Sequence, residues 1–399
     1  MKPTLTRFLL LQLLFGLTVA CRPTPTAKPV ADMMWDEIEA NALGQHVKLL
    51  VSRDNADAVK YLNGSVSKQL LREYGIRLTL VSPPANDTAP LLHPPPQPDP
   101  DLVWMDLDAF HQYRRSRLLQ PALAAKIPNA RYIDWRFFGP RIESPTMERS
   151  SVLPWGKNPL VLVYNRDNVA KVPTNLRQLA AWIRENPGRF TIHRGRGGYR
   201  MLHSWLKEVS MPDHSLPPDF SEKDYTATRD RLAAFIEELR PYLWMEGKHF
   251  PKDAAELNLL FMQGKVDFSI HEVYPARRLD ETPVRFRIGT RIWPCPEALC
   301  THFLGVPADA ANKEGALVVL NYLLSPEAQL NKGNALVWGD GSVLDMEKLP
   351  EHWRKRFLAQ DAVDHQGASE SAPLMTPHLA MEYWVRMRHD FQEKLKSQP

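Results

Sequence analysis

Cysteine is scarce in this chain: three in 399 residues, at positions 21, 295 and 300. Long apolar runs are missing too. The run Phe8–Val19 is 12 residues long, short of the roughly 20 that an apolar helix needs to cross a bilayer, and no internal repeat or coiled-coil pattern follows it. Neither sign of charge dominates, with 50 Lys+Arg against 46 Asp+Glu, so nothing calls for a nucleic-acid partner. The nucleophile elbow Gly-x-Ser-x-Gly and the metal-binding His-Glu-x-x-His are absent. His193, His203, His271 and His302 are scattered and fit packed or surface positions better than a catalytic set. No enzymatic activity, cofactor or metal is expected.

What is present begins at the N-terminus. Lys2 and Arg7 precede the apolar run, which ends in Leu17-Thr18-Val19-Ala20-Cys21. This is the layout of a signal peptide over 1–20, with small residues ahead of a cysteine that is acylated. "RPTPTAKPVAD" then has no apolar periodicity and reads as a tether over 21–40 that holds a folded body off a membrane. The alternative is soluble secretion with Cys21 incidental. Arg22 follows the cysteine where an aspartate would argue for inner-membrane retention, so the choice between inner and outer membrane stays open. Loss of 1–20 removes two positive charges and no acid, leaving 48 Lys+Arg against 46 Asp+Glu.

About 360 residues of mixed composition suffice for two lobes with buried cores, and the 35 prolines concentrate in connectors. "HVKLLVS" (46–52) reads as a strand, 58–75 as a helix ending at Gly75, and "IRLTLVS" (76–82) as a second strand. This β-α-β order predicts a parallel sheet. The proline-dense segment 83–100 excludes regular structure. "DLVWMDLDAF" (101–110) predicts a third strand and a loop at its end. Residues 151–169 predict one long strand after Pro154-Trp155-Gly156, and "RFTIH" (189–193), "KVDFSIH" (265–271) and "THFLGVP" (301–307) predict three more. Helices are expected over 175–188, 229–244, 253–264 and 313–330, and through most of 352–396. Strands alternating with helices define an α/β class.

"RFTIHRGRGGYRMLHSWL" (189–206) has the makings of an anion cradle: a glycine cluster among arginines opening a helix, whose N-terminal N–H groups favour negative charge. It lacks the phosphate-loop spacing and a complete dinucleotide fingerprint. The bland alternative is a tight turn with solvated arginines. In "WPCPEALCTHF", a local disulfide between Cys295 and Cys300 is the leading reading for an oxidising compartment, with two thiols as the alternative.

"PWGKNPLVLVYN", "NPGRFT", "GKVDFSI", "THFLGVPADAANKEGALVVLNYLLSPEAQ" and "VWGDGSVLD", in this order and spacing, resemble the extracellular solute-binding proteins of ABC importers, in a branch often labelled thiamine or polyamine binders. The likeness covers roughly 45–360. It implies a two-lobe type II periplasmic-binding-protein fold with a ligand cleft between the lobes, and partners that include a small molecule and the permease and ATPase subunits. On that template lobe 1 holds 41–153 and the return segment 300–335, lobe 2 holds 154–299, and the helical region 336–399 packs across them. The chain is expected to be monomeric, periplasmic and anchored to a membrane by lipid.

The resemblance also places the candidate ligand contacts at strand ends: Arg53, Asp106, Asp108, Trp155, Arg196, Gly197, Gly198, Tyr199, Arg200, Glu272 and Tyr274. Arg53, Arg196 and Arg200 suit a carboxylate or phosphate, while Asp106, Asp108 and Glu272 suit an amine. A zwitterion satisfies both, and any of these groups can instead be a surface ion pair. Trp155 is expected either to stack on the ligand or to pack the hinge; His302, within a framework motif, is expected to be structural. Relatives tend to carry an Asn-Gly pair where this chain has Asp106-Leu107-Asp108, a Thr-Gly-Ser-type helix start in place of 197–199, and Gly-Asn before Thr301 in place of Leu299-Cys300. Either the ligand differs, or the body is a scaffold acting through a protein partner.

Overall fold

The computed structural model describes residues 28–51, 56–82, 99–135, 150–210, 216–272, 284–295, 300–364 and 380–395. The first part of the chain runs α1 (Trp35–Ala42), β1 (His46–Leu50), α2 (Ala56–Tyr61), α3 (Ser67–Tyr74), β2 (Arg77–Val81), β3 (Leu102–Met105), α4 (Leu107–Arg115), β4 (Val152–Lys157) and β5 (Val161–Asn165). There follow α5 (Leu176–Glu185), α6 (Arg196–Ser210), α7 (Glu222–Leu239), α8 (Ala254–Met262), β6 (Phe268–His271), β7 (Ile288–Ile292) and β8 (Thr301–Gly305). Helices α9 (Lys313–Leu323), α10 (Pro326–Gly333), α11 (Glu351–Asp364) and α12 (Met381–Lys394) complete it.

Two sheets organise these elements. The first has the order β2-β1-β3-β8-β4, the second β6-β5-β7. β1 pairs in parallel with β2 and β3, as the β-α-β reading requires, whereas β8 runs antiparallel to both β3 and β4. The all-buried β8 is what a strand covered on both faces needs, while β1 buries Val47, Leu49 and Leu50 and exposes His46 at its start.

The expected single strand over 151–169 is two strands in different sheets. Pro154, Trp155 and Gly156 lie inside β4, an edge strand where a residue without an N–H is tolerated, and Trp155 is the extra residue of a bulge between Pro154 and Gly156. The chain then crosses between Lys157 and Val161 and returns between Ile292 and Thr301. The two crossings touch: Asn158 N donates to Cys300 O at 2.5 Å and Trp293 N to Leu160 O at 2.7 Å.

Three further expectations are corrected. "RFTIH" is not a strand, although Phe190, Thr191, Ile192 and His193 are buried. Its backbone instead bonds to irregular partners, with Phe190 O accepting from Trp244 N and Arg194 N donating to Pro251 O. The loop expected after the third strand is α4, because the Asp106 carboxylate accepts from Ala109 N at 2.9 Å and caps a helix there. The helix expected over 313–330 is broken into α9 and α10 where Pro326 follows Ser325, whose hydroxyl accepts from Ala328 N; a cap of this kind contributes about 1 kcal/mol. Nine consecutive residues of α9, Gly315–Leu323, are buried. None of the helices in the described residues is long and apolar enough to cross a membrane.

Candidate functional site

Charged side chains from both sheets meet at the N-terminus of α6. Arg196, its first residue, lies 3.5 Å from Asp106 at the N-cap of α4 and 3.8 Å from Glu272, the residue just past β6. Arg196, Asp106 and Glu272 keep 36%, 29% and 33% of their side-chain surface exposed. These are loose contacts at a solvated rim, and they link the first sheet to the second.

Behind the rim the contacts tighten. Arg200, one turn further along α6, is buried and donates to Glu272 Oε1 at 2.8 Å, to Cys300 Sγ and to the Asn158 carbonyl. Burial works against ionisation of Glu272, but Arg200 and Arg196 outweigh it and hold the carboxyl below its usual range. Asp108 is engaged elsewhere: Trp384 Nε1 donates to it at 2.5 Å and Arg388 at 2.6 Å, both from α12. Burial raises its pKa and the neighbouring Asp106 adds to that, with Arg388 and Arg196 opposing.

The glycines of 195–198 serve close approach. Gly195 N donates to His193 Nδ1 at 3.0 Å. A Cβ at Gly198 would sit 1.8 Å from the His193 carbonyl oxygen, so no other residue fits where the helix folds back over its own entry. A Cβ at Gly197 would meet His193 Nε2 at 3.0 Å and Glu272 Cγ at 3.4 Å. Gly197, Gly198 and Tyr199 are buried.

Trp155 is fully buried. Its ring lies 5.3 Å from those of Trp104, His302 and Trp338, with Lys332 Nζ at 5.9 Å above it. This packs it between β4 and the return strand, not on an open face. Beneath it, His302 Nε2 is 2.9 Å from Asp340, which also pairs with Lys332; all three are buried. Burial and Lys332 depress the His302 pKa against the pull of Asp340. A neutral His302 beside an Asp340–Lys332 ion pair leaves the cluster without net charge, as a dry interior requires. Gly156 makes room for it: a Cβ there would lie 1.8 Å from Asp340 Oδ2.

Cys295 and Cys300 are unbonded thiols in this structure, and the Cys300 sulfur lies against the Arg200 guanidinium. Arg53, Tyr274 and Cys21 lie outside the described residues. Of the rest, the structure brings Asp106, Arg196, Arg200 and Glu272 into one cluster, with Asp108 on its far side. The sequence reading missed Asn158, Trp384, Arg388, Lys332 and Asp340 as partners of these groups. Asn158 and Asp340 fell in quoted motifs, "PWGKNPLVLVYN" and "VWGDGSVLD". Among the described residues no group of three or more His, Cys, Asp or Glu is placed to hold a metal ion.

Two α/β sheets exchanged by paired crossings, with their strand-end loops facing each other, define the two-lobe class of periplasmic binding proteins. The comparisons with known proteins agree. The family described as bacterial extracellular solute-binding protein matches residues 66–354. Protein YnjB of Escherichia coli (strain K12) is 31% identical over 347 residues, spanning 82% of this chain and 86% of that protein. The chain belongs to this solute-binding family. Among solved structures, the maltose/maltodextrin-binding domain MalE of Bdellovibrio bacteriovorus, bound to maltotriose, superposes with a TM-score of 0.60 at 15% identity, covering 89% of this chain and 95% of that one. The spermidine/putrescine ABC transporter substrate-binding protein PotD of Streptococcus pneumoniae gives 0.55 at 16%, covering 88% and 98%. The TpPotD lipoprotein of Treponema pallidum gives 0.55 at 16%, covering 86% and 98%.

Proposed function

We propose that this chain is the lipid-anchored solute-binding component of an ABC import system, capturing one small polar ligand by closure of its lobes around the Asp106–Arg196–Glu272 rim. The observation that carries this reading is the position of Arg196. It is the partly exposed charge that reaches both sheets, and its pairing at 3.5 and 3.8 Å is loose enough to be exchanged for a ligand's own groups. A ligand with an anionic group takes Arg196, and one with a cationic group as well takes Asp106 or Glu272. Arg53 and Tyr274 are proposed to complete the contacts. We assign lobe 1 to 41–157 with 300–335 and lobe 2 to 161–292, with the crossing placed at 158–160 in place of the expected boundary at 154, because Pro154–Lys157 lie in β4 of the first sheet. The family and the TpPotD lipoprotein neighbour support an envelope location; Cys21 is the proposed lipidation site. The chain acts as a monomer with its permease and ATPase.

A thermal-shift screen of a metabolite library tests this, since binding to the native state alone raises the melting temperature. A hit that Arg196→Ala abolishes supports the reading. Saturating hits that Arg196→Ala leaves untouched place the ligand elsewhere. One observation favours a second reading, a scaffold that acts through a protein: Asp108 and Arg200 are already satisfied by partners within the chain. No shift with any compound, together with specific capture of an envelope protein, would establish it.

A further inference from the structure

The two cysteines sit where the return crossing meets the first, and the fold gives them a setting that structural thiols do not need. Cys300 is buried, Cys295 is partly exposed, and the two thiols are near enough to shift each other's ionisation. The Cys300 sulfur lies against the buried Arg200 guanidinium, and that guanidinium is fixed by two further acceptors, Glu272 Oε1 and the Asn158 carbonyl. A guanidinium against sulfur stabilises the thiolate, which is the reactive form.

We propose that Cys295 and Cys300 form a redox-active dithiol, positioned by Arg200, that closes to a disulfide by exchange with a disulfide-bearing oxidant. Burial opposes ionisation of Cys300, but hydrogen bonding from Cys295 and the Arg200 charge bring its pKa down to about 6. In the exchange, the Cys300 thiolate attacks the oxidant's S–S bond and expels one thiolate, which takes the Cys295 proton. The Cys295 sulfur then attacks the Cys300 sulfur and expels the second thiolate, which takes a proton from water. Two electrons leave the pair and reduce one disulfide to two thiols. Once closed, the sulfur carries no charge for Arg200, which is left with Glu272 and Asn158. The pair is therefore wired through one side chain to the rim, yet its redox chemistry does not rest on ligand capture there.

The test uses oxidised glutathione on the purified full chain, followed by alkylation and mass spectrometry. The expected product is an intramolecular disulfide with both thiols lost to alkylation and no glutathione retained. With Cys295→Ser the reaction stops as a glutathione adduct on Cys300. Two thiols that stay alkylatable in the folded chain, while the urea-unfolded chain closes, would overturn the proposal; so would a stable mixed disulfide in the unsubstituted chain. Arg200 is assigned by ultraviolet thiolate titration: Arg200→Gln raises the Cys300 midpoint and Arg200→Lys restores it. An unchanged midpoint in a folded Arg200→Gln chain removes Arg200 from the assignment.

Discussion

Two charge clusters lie within one chain and behave as opposites. Under Trp155, His302, Asp340 and Lys332 are sealed from water and share short contacts, and Asp340 is held below its usual range by its two partners despite burial. At the rim, Asp106, Arg196 and Glu272 are about a third exposed and sit 3.5 Å or more apart. The physics of each setting decides its use. A buried pair is costly to break, because the remaining charge is stranded away from water. A solvated pair is worth little, so another partner can displace it. Charges sealed beside the crossing and the rim charges proposed to meet a ligand are thus separable by burial and distance, without reference to their residue type.

The widest break in that comparison comes from acid. His193, His203 and His271 are desolvated by burial and their pKa values fall to about 4, against an ordinary 6.5. The unfolded chain therefore takes up these protons at higher pH than the folded one. The stability they leave intact above pH 6.5 is lost as the pH drops towards 4, at roughly 1.4 kcal/mol per unit for each histidine over that window. The loss of depressed carboxylates such as Glu272 and Asp340 follows at lower pH. Denaturant midpoints measured from pH 7 to 4.5 should fall steadily. A flat profile would mean that water reaches these imidazoles.

Next in size is Lys332→Met. It leaves the buried Asp340 with only a neutral imidazole, and breaking a pair of this kind costs about 3–5 kcal/mol. The double variant Lys332→Met/Asp340→Leu should recover much of that, because no charge is then stranded. A Lys332→Met loss below about 1 kcal/mol in urea melts would show that the cluster is hydrated.

Arg388→Ala tests an intermediate case. Arg388 is 39% exposed but its partner Asp108 only 12%, and the Trp384 indole still donates to the carboxylate. Loss of one charge-assisted hydrogen bond predicts about 1–2 kcal/mol in urea melts. Since α12 also ties to α7 through the Asp390 carboxylate and Tyr225, the helix should stay docked and the circular dichroism should not change. Loss of helical signal would mean that Arg388 anchors α12 by itself.

How much of this was legible in the sequence follows the same division. Local signals carried well: the parallel β1 and β2, the Gly75 stop with φ at 64°, and α5 and α8 opening at Asn175 and Asp253, whose side chains cap them. Arg196, Asp106 and Glu272 were singled out by charge at strand ends, and the fold does bring them together. Partners distant along the chain were not legible. Arg388 meets Asp108 across 280 residues, and no periodicity encodes such a pairing. Trp155 was ambiguous because an aromatic beside proline and glycine serves ligand stacking and hinge packing alike; its neighbours Trp104, Trp338 and His302 come from three other segments. "RFTIH" looked like a strand because burial and β-branching are shared by strands and by irregular chain threaded through a core.

Arg196→Ala sharpens the rim side of the comparison, because there the expected stability change is the smallest. With both contacts at 3.5 Å or longer and solvent at hand, the loss should stay under about 1 kcal/mol in urea, while a library hit loses its thermal shift. Removing the guanidinium also leaves Asp106 and Glu272 facing each other without their shared cation. Binding of an anionic ligand should fall most, and a cationic one should bind as well or better. A large loss of stability instead would place Arg196 with the buried set, and the rim would then be part of the frame of the protein.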